Sequence, residues 1–276
     1  MTSDDNSDRI GFLGCGAMAQ ALATGLVGSG VSAQRVSGSD PSPEQREAFR
    51  AATGATVHKD NSTLVAESHV VVLAVKPALV TRILSELSSE CEPGRPLFIS
   101  IAAGITLETL GASLPKGTRI VRAMPNTPAL VSEGATAFCG NTAATSDDLA
   151  TAETLFNAVG LTWVAPSESH LDAVTGLSGS GPAYVFLVLE ALTEAGIEQG
   201  IPPEAARRLA TQTLLGAATL AHQSEESAQV LRERVSSPGG TTVAGLAELD
   251  AGDLRGVIGR AVAAATARSR ELSRNS

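Results

Sequence analysis

A short apolar run, Ile10 to Leu13, leading into Gly14-Cys15-Gly16-Ala17-Met18-Ala19 limits the folds open to this chain more than any other stretch. The run has the length and apolarity of a buried strand, and apolar residues then recur at helical spacing through Leu22 and Leu26. Strand, turn and helix follow in that order. Gly14 permits the sharp turn, Gly16 lets backbone approach a pyrophosphate, and Ala19 lets the helix pack closely on its strand. The helix N-terminus adds unpaired N–H groups and a partial positive charge. A lone G-x-G-x-x-A recurs by chance, and its glycines also serve as a plain turn between packed elements. The neighbouring segments therefore decide its meaning.

Those segments repeat the same unit. Arg35 to Asp40 reads as a second strand, followed by Ser42 as an N-cap, Pro43 at the first helical position and Gln45 as a capping-box residue. Ala55 to His58 is a weak strand and Asn61 to Glu67 a short helix, while His69 to Val75 is a continuous apolar run of the kind buried on both faces of a parallel sheet. Lys76-Pro77 ends it. A helix over Ala78 to Leu87, a strand over Pro96 to Ala102, a helix over Thr106 to Leu114 and a strand over Arg119 to Met124 complete a doubly wound, Rossmann-like α/β sheet. Ligands of such sheets lie outside the carboxyl ends of the strands. There fall Gly14 to Met18, Ser39-Asp40, Lys76-Pro77, Ala102-Ala103-Gly104 and Pro125-Asn126-Thr127-Pro128. Gly134 to Cys139 and Leu161 to Ala165 extend the sheet, around a helix over Asp147 to Val159 capped by Ser146.

Asp40 follows Gly16 by 24 positions, near the offset at which an acidic residue binds the ribose hydroxyls of NAD. Ser37, Ser39, Ser42 and Arg46 surround it, and hydroxyls with a guanidinium suit a 2′-phosphate instead. Asp40 also reads as an ordinary turn residue before Pro41. Lys76 is equally a candidate cofactor contact and a solvated strand-end lysine. His58 and His69 have no metal-ligand spacing and read as structural, and no metal site is expected.

From Pro166 no strand pattern survives, and apolar residues recur at helical spacing through Pro182–Gln199, Pro203–Gln223, Glu225–Arg234 and Asp253–Leu272. The expected division is a disordered tail over 1–8, a dinucleotide-binding domain over 9–165 and an all-α substrate-binding and dimerisation domain over 166–276. The helix carrying Ala183 to Leu189 is apolar almost all round, so it must be buried on every side, either by helices from a second subunit, the favoured reading, or by core packing within one chain. Two loops are rich in glycine and hydroxyls, Gly176 to Pro182 and Ser236-Ser237-Pro238-Gly239-Gly240-Thr241-Thr242, and each reads either as backbone brought to a ligand or as a flexible connector. The second runs into helix at Val243, where an anion such as a carboxylate would be received.

At 276 residues and 28.0 kDa the chain is long enough for two domains, each with a core. Its net charge of −9 and lack of any Lys/Arg cluster argue against nucleic acid and acidic membrane surfaces, leaving a small molecule as the expected partner. Cys15, Cys91 and Cys139 lie far apart without C-x-x-C spacing, which suits a reducing, cytoplasmic compartment. No stretch approaches the apolar length of a membrane span or a signal sequence.

Taken together, Gly11 to Ala19, Ala74 to Pro77, Ser100 to Gly104, Arg122 to Pro128, Gly176 to Tyr184 and, most specifically, Ser236 to Gly245 resemble the pyrroline-5-carboxylate reductases, from Ile10 to the last helix. The resemblance implies reduction of Δ1-pyrroline-5-carboxylate to L-proline with NADPH, or NADH as the alternative, by a homodimer that can build a larger ring of dimers. It places Gly14, Cys15, Gly16, Ala17, Met18, Ser39, Asn61, Ala74, Val75, Lys76, Pro77 and Ala103 at the dinucleotide, with Asp40 beside them. Glu225, Thr241 and Thr242 match substrate-loop positions, alongside Ser236, Ser237, Gly239 and Gly240, with Thr242 as the catalytic candidate. Two positions depart from relatives. Arg234 stands where some have asparagine, and Asp40 where NADPH-preferring members often have a neutral residue, so cofactor preference stays open, with Ser39, Ser42 and Arg46 favouring NADPH.

A cyclic imine is basic enough to carry a proton near neutral pH, so its reduction needs a hydride and fixed geometry rather than a strong base. Two rivals share the layout. A β-hydroxyacid dehydrogenase would carry a lysine on the first long helix of its second domain, where Pro182 to Gln199 has none. A non-catalytic NADP(H)-binding sensor would have no use for an intact substrate loop.

Overall fold

The computed structural model describes residues 8–92 and 94–274, so the tail expected over 1–8 lies, but for Asp8, outside the described residues. Strand and helix alternate as the apolar periods demand. In order come β1 (Ile10–Leu13), α1 (Ala17–Gly28), β2 (Val36–Ser39), α2 (Pro43–Thr53), β3 (Thr56–His58), α3 (Asn61–Glu67), β4 (Val70–Leu73) and α4 (Pro77–Leu87). β5 (Leu97–Ser100), α5 (Leu107–Ala112), β6 (Ile120–Met124), β7 (Gly134–Gly140), α6 (Ser146–Asn157) and β8 (Gly160–Val164) complete the sheet region. Helices alone follow: α7 (His170–Val174), a π-helical turn over Thr175–Gly179, α8 (Gly181–Glu198), α9 (Pro203–Gln223), α10 (Ala228–Arg234), α11 (Thr241–Ala251) and α12 (Leu254–Arg274).

All eight strands form one sheet in the order β3-β2-β1-β4-β5-β6-β7-β8. Pairing is parallel except between β6 and β7. The order reverses at β1, whose two neighbours are β2 and β4, and the crevice outside that reversal is where a doubly wound sheet binds its ligand. Neighbouring residues of β1 face opposite layers, as strand geometry requires. Phe12 packs with Leu22, Leu26, Phe49, Val72 and Phe156 on one side, and Leu13 with Leu64, Leu73, Leu84 and Phe98 on the other. Burying each such side chain contributes on the order of 1.5–3 kcal/mol, and β1 is central because both of its faces are paid in this way.

Local capping explains several boundaries. Ser42 accepts from the Gln45 N–H at 3.3 Å and Pro43 opens α2. α10 starts later than periodicity suggests, at Ala228 rather than Glu225, because the Ser227 side chain caps it by accepting from the Val230 N–H. The expected Ser146 cap is corrected: Thr145 is the N-cap of α6, its hydroxyl accepting from the Asp148 N–H while the Asp148 carboxylate accepts from the Thr145 N–H. An aspartate three residues on closes a reciprocal box at Thr145.

The chain divides into two compact units, residues 1–179 with 264–276, and residues 180–263. The sequence places this division after Ala165. Chain beyond that point stays with the sheet because Leu171 is fully buried there and Asp172 accepts a hydrogen bond from Ser269 of α12 at 2.7 Å. In the second unit α8 packs on α9, with Gly196 beside Ala206 and Ile201. None of the α8 residues is buried within this single chain; Val185, Phe186 and Leu187 are 52, 58 and 65% exposed. No helix among the described residues is long and apolar enough to cross a membrane.

Candidate functional site

The turn after β1 is held by backbone. Gly14 sits at φ 95°, and its N–H donates to the Ser39 carbonyl at 2.7 Å. A Cβ on Gly14 would lie 2.6 Å from the Ala74 carbonyl oxygen, so both conformation and space demand glycine. Gly16 differs. It is the N-cap of α1, in extended conformation, and a Cβ there would meet nothing within 4 Å. The chain's own packing gives no reason for a glycine at 16, whereas a close-approaching pyrophosphate does. α1 has no side-chain cap bond at its N-terminus, where first-turn N–H groups have no intrahelical partner, and the residues fit a dinucleotide phosphate.

The expected contacts of the dinucleotide collect at the same end of the sheet. Ala74 N–H donates to the Leu13 carbonyl at 2.8 Å, bringing the Ala74 to Pro77 segment beside the turn. Lys76 is exposed at the N-cap of α4 with no side-chain cap bond, and Val75 is half-buried. Ala103 is exposed just beyond β5. Ser39 is buried, and its hydroxyl donates to Asn61 Oδ1 at 2.8 Å. That bond takes the Ser39 proton away from any 2′-phosphate and orients the Asn61 amide instead. The Asp40 carboxylate accepts from two backbone N–H groups, Cys15 at 3.0 Å and Ser42 at 2.8 Å. Arg46 spends one guanidinium nitrogen, Nη1, on the carbonyls of Asp40 and Pro41. It remains half-buried with further donors. Cys15 is fully buried, and its thiol is pushed up to about 12, chiefly by burial and secondarily by Asp40. It is a neutral packing group rather than a nucleophile.

A second cluster within the first unit escaped sequence reasoning. Arg122 on β6 is buried and pairs with Glu168 at 2.5 Å, and the same Glu168 oxygen accepts from the Leu107 N–H at 2.8 Å. Beside them Cys139 is pushed up to about 11 by burial first, then by Glu168. A lone arginine in an apolar strand was the available signal, because a buried guanidinium requires a partner. Asn126, at the end of β6, donates to the Ser178 carbonyl at 3.0 Å and accepts from the Ala135 N–H at 2.8 Å. The Gly176 to Pro182 segment, expected as a loop, is corrected by this region: Thr175–Gly179 is a π turn continuing from α7. Asn126 ties it to β6, and Gly179 stands where a Cβ would lie 2.7 Å from Met124 Cε.

In the second unit the Ser236 to Thr242 segment forms the lead into α11. Ser236 donates through its hydroxyl to the Arg232 carbonyl at 2.7 Å, and Gly240 N–H donates to the Ser237 carbonyl at 2.9 Å. Gly239 adopts φ 71°. Gly240 is the N-cap of α11 without a side-chain cap bond, so Thr241 and Thr242 occupy the first two helical positions, both exposed. Their N–H groups and the helix dipole present a ready anion receptor. Glu225 is exposed ahead of α10, and Arg234 pairs with Glu226. Among the described residues no group of three or more His, Cys, Asp or Glu is placed to hold a metal ion.

Comparison with known proteins places these features in a family context. A model described as pyrroline-5-carboxylate reductase dimerisation matches residues 168–272, and one described as NADP oxidoreductase coenzyme F420-dependent matches residues 9–104. A pyrroline-5-carboxylate reductase of Arabidopsis thaliana is 43% identical over 270 residues, 98% of this chain and 97% of its own length. Among solved structures, a pyrroline-5-carboxylate reductase from Coxiella burnetii superposes with a TM-score of 0.93 at 40% identity, covering 97% of this chain and 99% of that one. A Plasmodium falciparum pyrroline carboxylate reductase with NADP bound gives 0.85 at 30% identity, over 97% and 98% of the two chains.

Proposed function

Because the chain belongs to the pyrroline-5-carboxylate reductase family, we propose that its Gly14 to Met18 turn receives the dinucleotide pyrophosphate and its Ser236 to Thr242 segment the substrate carboxylate. The protein is an NADP-dependent oxidoreductase that reduces Δ1-pyrroline-5-carboxylate to L-proline, the final step of proline biosynthesis. The assignment of the turn rests on the contrast between a sterically closed Gly14 and an open Gly16.

The bound dinucleotide supplies the hydride; the rest of the reaction falls to the chain. The carboxylate is received by the first-turn N–H groups of α11, each charge-assisted bond contributing on the order of 1.5–3 kcal/mol. Thr242, second in that helix, hydrogen-bonds the imine nitrogen or relays its proton. One proton and one hydride together convert C=N to CH–NH. Neither step requires a strong base, in keeping with a segment built from hydroxyls and amides. With Ser39 committed to Asn61, the guanidinium donors of Arg46 beyond Nη1 support its assignment to a 2′-phosphate. A β-hydroxyacid dehydrogenase is disfavoured because α8 carries no lysine.

The exposed apolar side chains of α8 support an obligate homodimer, with a ring of dimers as a further assembly. Light scattering at micromolar concentration is expected to give at least twice the chain mass; a species of 28.0 kDa would contradict it. The absence of disulfides among the described residues and the reducing cofactor support a cytoplasmic setting.

The direct test of function follows NADPH absorbance with Δ1-pyrroline-5-carboxylate and folded protein. Substrate-dependent oxidation is expected, with L-proline as product. Oxidation with other cyclic imino acids but not this one would reassign the substrate, and no oxidation with any would remove the reading.

A further inference from the structure

Asp40 stands at the sequence offset of a ribose-binding acid, yet its carboxylate is engaged inside the protein. Oδ2 accepts from the Cys15 N–H at 3.0 Å and Oδ1 from the Ser42 N–H at 2.8 Å. Arg46 donates to the Asp40 carbonyl at 2.6 Å, and Gly14 N–H to the Ser39 carbonyl at 2.7 Å. The loop after β2 and the turn after β1 are thus stitched together on both sides of Asp40. Cys15 is the residue between the two glycines of the turn, so its N–H is consumed by a protein carboxylate rather than by a phosphate. Two backbone N–H dipoles face the negative charge, which blunts the repulsion a bare carboxylate would exert on a 2′-phosphate.

We infer that Asp40 is a positioning residue: through the Cys15 N–H its carboxylate holds the Gly14 to Met18 turn in the shape that receives the pyrophosphate, the part common to NADPH and NADH. It therefore sets affinity for both dinucleotides and not the preference between them. This rests on the dinucleotide reading of the turn. A ribose-binding or phosphate-repelling Asp40 predicts the opposite pattern, a change in the ratio.

The test is dinucleotide titration and steady-state kinetics of the full chain as wild type, Asp40→Ala and Asp40→Asn. Asp40→Ala removes both acceptors and is expected to raise Kd for NADPH and for NADH by the same factor, about tenfold to a hundredfold, the range of lost bonds to a charged group. Asp40→Asn keeps one acceptor oxygen and should fall between wild type and alanine. At saturating NADPH, kcat and the KM for Δ1-pyrroline-5-carboxylate should stay within about twofold, a split that general destabilisation would not produce. A tenfold or greater shift in the NADPH-to-NADH ratio overturns the inference, as does an unchanged Kd in both variants. Wild type that binds neither dinucleotide would instead overturn the assignment of the turn itself, and the inference with it.

Discussion

Thr242→Ala is expected to lower kcat about a hundredfold or more without unfolding the protein. Removing a preorganised donor at a site of changing charge typically costs that much, on the order of 2.7–4 kcal/mol of transition-state stabilisation. A merely structural threonine at the start of a helix would act as a cap, and its loss would cost about 1 kcal/mol of stability. The geometry of α11 argues against capping. Gly240 holds the N-cap position, Thr242 is two residues further on, and the helix has no side-chain cap bond for alanine to break. Melting temperature and kcat should therefore separate. Thr242→Ser, which keeps the hydroxyl, should recover most of the rate. A variant with lower Tm and near-normal kcat would make Thr242 structural, and a rise in KM alone would assign it to ground-state binding.

Substitutions at the two glycines of the first turn should fail in different ways. Gly16→Val is expected to lower stability by no more than about 1 kcal/mol, the cost of a poorer N-cap, because the extended backbone accepts a side chain and nothing lies within 4 Å of the added Cβ. Dinucleotide affinity should nonetheless fall about a hundredfold or more, since the side chain fills the space where backbone and pyrophosphate meet. Gly14→Ala is expected to damage the fold itself. At φ 95° an L-residue is strained by roughly 1–2 kcal/mol. Its Cβ would also lie 2.6 Å from the Ala74 carbonyl, an overpacking that costs about 1–3 kcal/mol more. Thermal denaturation paired with dinucleotide titration distinguishes the two. Normal binding by Gly16→Val would show that the pyrophosphate passes elsewhere.

What could be read before any coordinates were the features whose cause is local. The bounds of α3 and α9 coincide with their apolar periods, and β1, β4 and β5 lie inside apolar runs, because strand and helix periodicity report burial face by face. The glycine turn and the start of α11, read at Val243 and found two residues earlier at Thr241, were legible for the same reason: tight turns and helix N-termini impose their residue types over a few positions. Other features depended on partners far along the chain. Periodicity does not say which way a strand runs, so the antiparallel entry of β7 beside β6 emerged only from the assembled sheet. Asp40 reads equally as a ribose ligand and as a turn residue, and only the fold shows its carboxylate accepting from Cys15, 25 positions earlier; Arg122 reads as an oddity until Glu168, 46 positions later, pairs with it. The π turn at Thr175–Gly179 likewise follows from Asn126, 52 positions before Ser178. Spacing along the chain carries propensity, but a charged or amide group is committed by whichever backbone the fold brings within about 3 Å, and that proximity belongs to the tertiary structure alone.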